Sequence, residues 1–164
     1  TVHAFDQAEV MAGAATLARE MDDQIDGLDT VVVACGGGGL AGGLASWWGA
    51  GVRLVVVETE MTATFASARQ AGRPVDVEVG GIGADALGAP RLGTMGWEAL
   101  SSVAAESVLV TDDDVVSAQA KIWESCRLRV EPAAATALAA LRAGKVGVSP
   151  GERVAVIMCG ANVS

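Results

Sequence analysis

Four consecutive glycines, Gly36–Gly39, stand between a short apolar run and a segment with helical spacing. Each glycine costs conformational entropy on folding, so four in a row need a physical reason. Glycines let the backbone turn its N–H groups towards one point at the start of a helix, where the helix dipole also favours an anion. The loop and the next residue, Leu40, therefore predict a phosphate site. The alternative is a tight turn that lets the helix pack closely on a strand.

The elements that would position this loop alternate along the chain. Short apolar runs at Thr30–Cys35, Arg53–Glu58, Ser107–Val110 and Arg153–Met158 are separated by segments with helical spacing. Strands that are apolar on both faces are typical of parallel sheets, so we predict an α/β fold, a parallel sheet with helices on both faces. Ligands of such sheets bind at the carboxyl ends of the strands, where Gly36–Gly39 and Cys159–Asn162 stand.

Two acidic patterns predict helix starts. Asp6 and Glu9 have the spacing of an acidic capping box, which predicts a helix through about Met21. The segment Thr111–Asp114 predicts the start of a long helix that reaches about Leu128.

Composition narrows the class of protein. A net charge of −9 disfavours nucleic acid and anionic membrane surfaces, and no apolar run is long enough to span a bilayer. The three cysteines, Cys35, Cys126 and Cys159, are odd in number and widely spaced, so we expect free thiols in a cytoplasmic protein.

The 164 residues suit one domain, 1–164. The sequence has no secretory signal at its start. It also has no initiator Met, so we expect that a front part is missing.

The segment Cys35–Gly43 resembles the tetraglycine phosphate loop of the fold-type-II pyridoxal-phosphate enzymes. Within that superfamily the whole chain most resembles the serine/threonine dehydratases, or ammonia-lyases, and it resembles their C-terminal portion. Further similar segments fall in the family's order: Val2–Asp6 (with Ala4 in place of a proline), Glu58-Thr59, Ala84–Ala89, Val130–Ala133 and Cys159–Asn162. The resemblance implies that this chain forms most of the large domain of such an enzyme.

The resemblance assigns the cofactor-binding residues. The backbone N–H groups of Gly36, Gly37, Gly38, Gly39 and Leu40 would hold the phosphate of pyridoxal 5'-phosphate. Cys159 would lie beside the pyridine nitrogen, where a neutral thiol makes the ring a weaker electron sink and favours elimination from the β-carbon. The alternative for Cys159 is a small apolar residue at the end of a strand.

The resemblance also implies a site for a monovalent cation such as K+. Its ligands would be Glu58, the carbonyls of Thr62, Leu87 and Ala89, and the hydroxyl of Thr64. Thr64 stands where relatives with a divalent ion carry Asp, which disfavours a divalent site. The alternative is a solvated or salt-bridged Glu58.

One further carboxylate has two interpretations. Glu131, before Pro132, either faces the cofactor or caps the following helix, and we favour the cap.

The chain lacks a suitable lysine for covalent attachment of the cofactor. Lys121 and Lys145 are its two lysines, and neither lies in a Ser-x-Lys segment such as the family uses. No residue of this chain is therefore predicted to be catalytic, and the isolated chain should be inactive. With its front half, and as a homodimer, the enzyme would convert L-serine or L-threonine into pyruvate or 2-oxobutanoate and ammonia. The alternatives are a serine racemase or another β-eliminating relative, a non-catalytic domain that binds a phosphorylated metabolite, and a structural or interaction module.

Overall fold

A single parallel sheet organises the chain in the structure, a computed structural model that describes residues 3–163. Its strands stand in the order β3-β2-β1-β4, and every neighbouring pair is parallel. Their bounds are β1 Thr30–Ala34, β2 Arg53–Thr59, β3 Glu106–Val110 and β4 Val154–Val156. The predicted α/β class is confirmed, although β4 is shorter than the apolar run that predicted it.

Helices cover both faces of the sheet. Their bounds are α1 Ala8–Gln24, α2 Gly39–Trp48, α3 Thr64–Ala71, α4 Ala84–Leu87, α5 Thr94–Ser102, α6 Asp112–Cys126 and α7 Pro132–Arg142. Successive side chains of a strand point to opposite faces, so the central strand β1 contributes to two apolar layers. Val31 and Val33 pack in the layer with α1, α2, α3 and α5, whereas Val32 packs in the layer with α6 and α7.

The capping box predicted at Asp6 and Glu9 is wrong. Helix α1 begins at Ala8, and its N-cap residue, Gln7, makes no side-chain capping bond. The carboxylate of Asp6 instead accepts hydrogen bonds from the backbone N–H groups of Thr94 and Met95, so it caps α5. The spacing of two acids in sequence cannot tell which helix start a carboxylate will reach, because that depends on how distant segments pack.

The second predicted helix start is confirmed. Thr111 Oγ1 accepts a hydrogen bond from the N–H of Asp114 at 3.1 Å, and the carboxylate of Asp114 accepts one from the N–H of Thr111 at 3.0 Å. Helix α6 ends at Cys126, two residues before the expected Leu128. Among residues 3–163, no helix combines the length and the apolar character needed to cross a membrane.

Candidate functional site

A pocket of about 310 Å³ lies where β1 and β4 end. Its size is at the lower end of the range for small-molecule sites. Strand β1 leads into the glycine loop, and the segment after β4 brings Cys159 to the same pocket. The pocket is lined by all six residues that were predicted to bind the cofactor, Gly36, Gly37, Gly38, Gly39, Leu40 and Cys159, together with Phe5, Leu87 and Glu131.

The N–H groups of the glycine loop are available to a ligand. Within the described part of the chain, no backbone or side-chain oxygen accepts a hydrogen bond from the N–H of Gly36, Gly37, Gly39 or Leu40. Burial raises the pKa of the Cys35 thiol, and the backbone N–H of Gly38 opposes that effect. Gly39 is buried, and a buried N–H without an acceptor costs free energy. An anion at the start of α2 would remove that cost.

Gly38 needs to be glycine because of its backbone conformation. Its φ is +90°, in the region that residues with a side chain rarely adopt. A Cβ there would also lie 2.8 Å from a methyl carbon of Leu92. Both the backbone conformation and the close contact with Leu92 therefore require glycine at position 38.

Phe5 is a pocket residue that the sequence reasoning did not single out. A side chain at Gly37 would collide with the Phe5 ring, so the ring lies directly over the loop. His3 helps to hold this segment, because its Nδ1 accepts hydrogen bonds from the N–H groups of Phe5 at 3.2 Å and Asp6 at 2.9 Å. The similarity of Val2–Asp6 to a family segment was the signal that could have identified Phe5. Val2 itself lies outside the described residues.

Cys159 and Glu131 both line the pocket and interact electrostatically. Partial burial of the Cys159 thiol raises its pKa, and the charge of Glu131 raises it further, so the thiol stays neutral at pH 7. Glu131 occupies the N-cap position of α7 but makes no side-chain capping bond. Its carboxylate lies against Gly160, where a Cβ would collide with it. The preferred prediction that Glu131 caps the helix is therefore wrong, since its side chain faces the pocket.

Glu58 is completely buried at the end of β2. Its Oε1 accepts a hydrogen bond from the N–H of Phe65 at 2.7 Å, and its Oε2 accepts one from the N–H of Ala66 at 2.9 Å. The carboxylate thus caps α3. The alternative interpretation, a solvated or salt-bridged Glu58, is therefore wrong. Burial raises the pKa of Glu58 to about 7, against the opposing effect of these N–H donors.

Hydrogen bonds link three of the predicted cation ligands, Glu58, Thr64 and Thr62. Thr64 Oγ1 lies 3.0 Å from Glu58 Oε1, and the carbonyl of Thr62 accepts a hydrogen bond from the N–H of Thr64 at 2.9 Å. Leu87 is the last residue of α4 and packs against Gly36; Ala89 follows two residues later. Within residues 3–163 no cluster of three or more His, Cys, Asp or Glu could hold a metal ion. A cation here would therefore depend on carbonyl and hydroxyl oxygens, and the cation site stays a prediction.

Neither lysine lines the pocket. The ammonium of Lys121 bonds to Glu124 at 2.8 Å on the surface of α6. That of Lys145 donates to the carbonyl of Leu109 at 3.0 Å and to the carboxylate of Asp114 at 3.2 Å. Both ammonium groups thus form hydrogen bonds with residues outside the pocket of the glycine loop.

Known proteins resemble this chain over nearly its whole length. The family model described as "Pyridoxal-phosphate dependent enzyme" matches residues 1–160. The biosynthetic L-threonine dehydratase of Haemophilus influenzae is 34% identical over 164 residues, which are 98% of this chain and 32% of that protein.

Solved structures share the fold. The processed form of threonine deaminase isoform 2 from Solanum lycopersicum superimposes with a TM-score of 0.89 at 23% identity, over 99% of this chain and 46% of that one. Maize serine racemase superimposes with a TM-score of 0.88 at 26% identity, over 99% of this chain and 52% of that one. This chain thus spans between a third and about half of these relatives. It has the fold-type-II architecture and belongs to the family of pyridoxal-phosphate dependent enzymes.

Proposed function

We propose that this chain is the cofactor-holding part of an ammonia-lyase that converts L-serine or L-threonine into pyruvate or 2-oxobutanoate and ammonia. The observation that carries the proposal is the glycine loop at the start of α2. Gly36, Gly37, Gly39 and Leu40 line the pocket, and their N–H groups have no acceptor among residues 3–163. A phosphate is the ligand that such a set of donors suits best.

The residues around the pocket fit pyridoxal 5'-phosphate, which supplies an electron-withdrawing ring for the elimination when it is bound. The glycine loop would hold its phosphate, and Phe5 would limit access of water from above the loop. Cys159 would present a neutral thiol to the ring nitrogen, because its raised pKa keeps the proton on sulfur. A neutral partner does not hold a proton on the ring, which favours β-elimination over chemistry that needs a long-lived carbanion.

The proposed activity needs a lysine that these residues do not place at the pocket. We propose that it belongs to a further part of the enzyme, since the relatives extend well beyond the matched region. The exposed apolar side chains of Val116, Trp123 and Leu128 on and after α6 support such a contact, because large apolar groups on one face favour a partner. The isolated chain should then bind the cofactor non-covalently and should not turn over serine.

A serine racemase is the second candidate within the family. Maize serine racemase, 26% identical over 99% of this chain, supports this candidate. Elimination and racemisation begin with removal of the same α-proton, so the phosphate and ring contacts of this chain serve either reaction. A non-catalytic domain that binds a phosphorylated metabolite is the candidate of a different class, since the loop recognises phosphate alone.

We also propose a monovalent cation at Glu58 and Thr64. A buried carboxylate whose pKa is raised to about 7 would be stabilised in its charged form by a cation beside it. Melting the chain in potassium, sodium and tetramethylammonium chloride at equal ionic strength tests this. Potassium should raise the melting temperature, and equal melting in all three salts would contradict the cation site.

Binding measurements test the phosphate site first. We expect calorimetry to detect pyridoxal 5'-phosphate and inorganic phosphate binding to this chain, and pyridoxal without phosphate to bind far more weakly. A chain that binds pyridoxal as well as its phosphate would contradict the proposed use of the loop.

Activity then separates the candidate functions. A polypeptide that joins this chain to a segment carrying the lysine should release 2-oxo acid from L-serine or L-threonine. Chiral chromatography of the remaining serine would reveal a racemase. Phosphate binding with neither activity would favour the non-catalytic domain.

A further inference from the structure

Three successive carbonyls of the glycine loop, those of Gly36, Gly37 and Gly38, each accept a hydrogen bond. The carbonyl of Gly37 accepts a hydrogen bond from the N–H of Gly93 at 3.0 Å, and that of Gly38 accepts one from the N–H of Gly42 at 2.8 Å. The carbonyl of Gly36 accepts a hydrogen bond from the side chain of Thr64, with 2.6 Å between the two oxygens, and a longer and weaker one from the thiol of Cys35 at 3.6 Å. The first carbonyl of the loop is therefore held by a side chain, and the next two are held by backbone.

Anchoring a carbonyl also directs the N–H that follows it. The peptide unit is planar and trans, so the C=O of one residue and the N–H of the next point in opposite directions. A carbonyl of Gly36 turned towards Thr64 turns the N–H of Gly37 away from Thr64. Gly37 lines the pocket, and Thr64 is not among the lining residues. The bond from the Thr64 hydroxyl thus orients the peptide that carries one of the predicted phosphate donors.

Thr64 is itself held firmly. It is completely buried at the first residue of α3, and its Oγ1 lies 3.0 Å from Oε1 of Glu58. The carboxylate of Glu58 is in turn fixed by the N–H groups of Phe65 and Ala66. A hydroxyl has one hydrogen, and the closer of its two acceptors is the carbonyl of Gly36.

We propose that Thr64 is a positioning residue for phosphate binding: its hydroxyl holds the carbonyl of Gly36 and thereby aims the N–H of Gly37 into the pocket. This role rests on the proposed function of the loop, and it deepens it by naming a side chain outside the pocket that sets the affinity for phosphate. Glu58 supports this role by fixing Thr64 from β2.

The experiment compares isotope-labelled samples of the chain: wild type, Thr64→Val, Thr64→Ser and Thr30→Val. Valine keeps the shape of threonine and removes the hydroxyl, whereas serine keeps the hydroxyl. Thr30 is the matched control, because it is also buried and its hydroxyl donates to Glu152 at the opposite end of β1. Two quantities are measured for each sample: the NMR shift and hydrogen-exchange rate of the Gly37 N–H without ligand, and the affinity for pyridoxal 5'-phosphate.

We expect Thr64→Val to shift the Gly37 N–H resonance, to speed its exchange and to weaken pyridoxal-phosphate binding by about tenfold, as for loss of a buried hydrogen bond. Thr64→Ser should restore both quantities, and Thr30→Val should change neither. If Thr64→Val does not fold, Thr64→Ala removes the same hydroxyl from a smaller side chain. An unmoved Gly37 resonance in the folded variant would overturn the inference, whether or not the cofactor binds. Failure of the wild-type chain to bind the cofactor, with Gly37 still shifted by Thr64→Val, would instead count against the proposed function.

Discussion

The carboxylate of Asp6 accepts a hydrogen bond from the backbone N–H of Thr94 at 3.0 Å and so joins the start of the chain to the first turn of α5. A second bond from Met95, at 2.9 Å, completes this cap. Phe5, the neighbour of Asp6, lies over the glycine loop. The hydrogen bond between Asp6 and Thr94 joins residues 88 positions apart. It therefore helps to fix Phe5, which forms one wall of the pocket.

Removing this cap should destabilise the fold. We expect Asp6→Ala to lower the free energy of unfolding by about 1 kcal/mol, the usual cost of losing an N-terminal cap. Thermal melting followed by circular dichroism measures this. The matched control is Asp23→Ala, an exposed aspartate near the end of α1, which should melt no lower than wild type. Equal destabilisation by both variants would contradict the assigned cap.

A negative charge in the loop should prevent phosphate binding. Gly38→Asp adds a carboxylate where we propose that a phosphate binds, and it also strains a backbone with a φ of +90°. Gly72→Asp is the matched control, because Gly72 has a φ of +69° and no atom within 4 Å of its would-be Cβ. Calorimetry with pyridoxal 5'-phosphate should detect no binding to the first variant and unchanged binding to the second. Equal binding by both variants would contradict the phosphate site.

The three cysteines should differ in their reaction with iodoacetamide at pH 7.5. Cys126 and Cys159 are exposed as residues and Cys35 is buried. The thiol of Cys159 is nevertheless partly desolvated in the pocket, and its raised pKa leaves little of the reactive thiolate. Peptide mass spectrometry should therefore show alkylation of Cys126 first, Cys159 later and Cys35 last. Pyridoxal 5'-phosphate should protect Cys159 and leave Cys126 unprotected.

The charge of Glu131 should account for part of the difference in alkylation rate between Cys159 and Cys126. Its charge raises the pKa of the Cys159 thiol, so Glu131→Gln should lower that pKa and speed alkylation of Cys159. The rate at Cys126 serves as the internal control. An unchanged rate at Cys159 would mean that the two side chains do not interact in solution.

Glu58 should make stability depend on pH. Its pKa is about 7 in the folded chain and 4.5 ordinarily, so between these values the folded state holds a proton that the unfolded state has released. Stability should therefore fall as pH rises from about 4.5 to about 7, by about 3 kcal/mol from this group, and then level off. Denaturant unfolding in buffers without alkali cations measures this fall. Glu58→Gln should remove it while lowering stability at acid pH, and an identical pH dependence in the variant would contradict the raised pKa.

Local sequence patterns were sufficient to predict the strands, the main helices and the position of the glycine loop. The apolar runs around Val31 and Val55 became buried parallel strands because residues apolar on both faces can be covered on both faces only inside such a sheet. Gly36–Gly39 fell at the junction of β1 and α2, and Thr111 capped α6 within four residues. These features depend on neighbours along the chain, so local spacing is sufficient to predict them.

The hydrogen-bond partners of the polar side chains depend on packing between distant segments. Asp6 caps α5 and not α1, Glu131 faces the pocket and not its own helix, and Glu58 caps α3. Thr64 reaches the carbonyl of Gly36, 28 positions away. A carboxylate or hydroxyl bonds to whichever donors and acceptors packing brings within about 3 Å, and that distance is set by contacts between layers. No local pattern in the sequence contains that information.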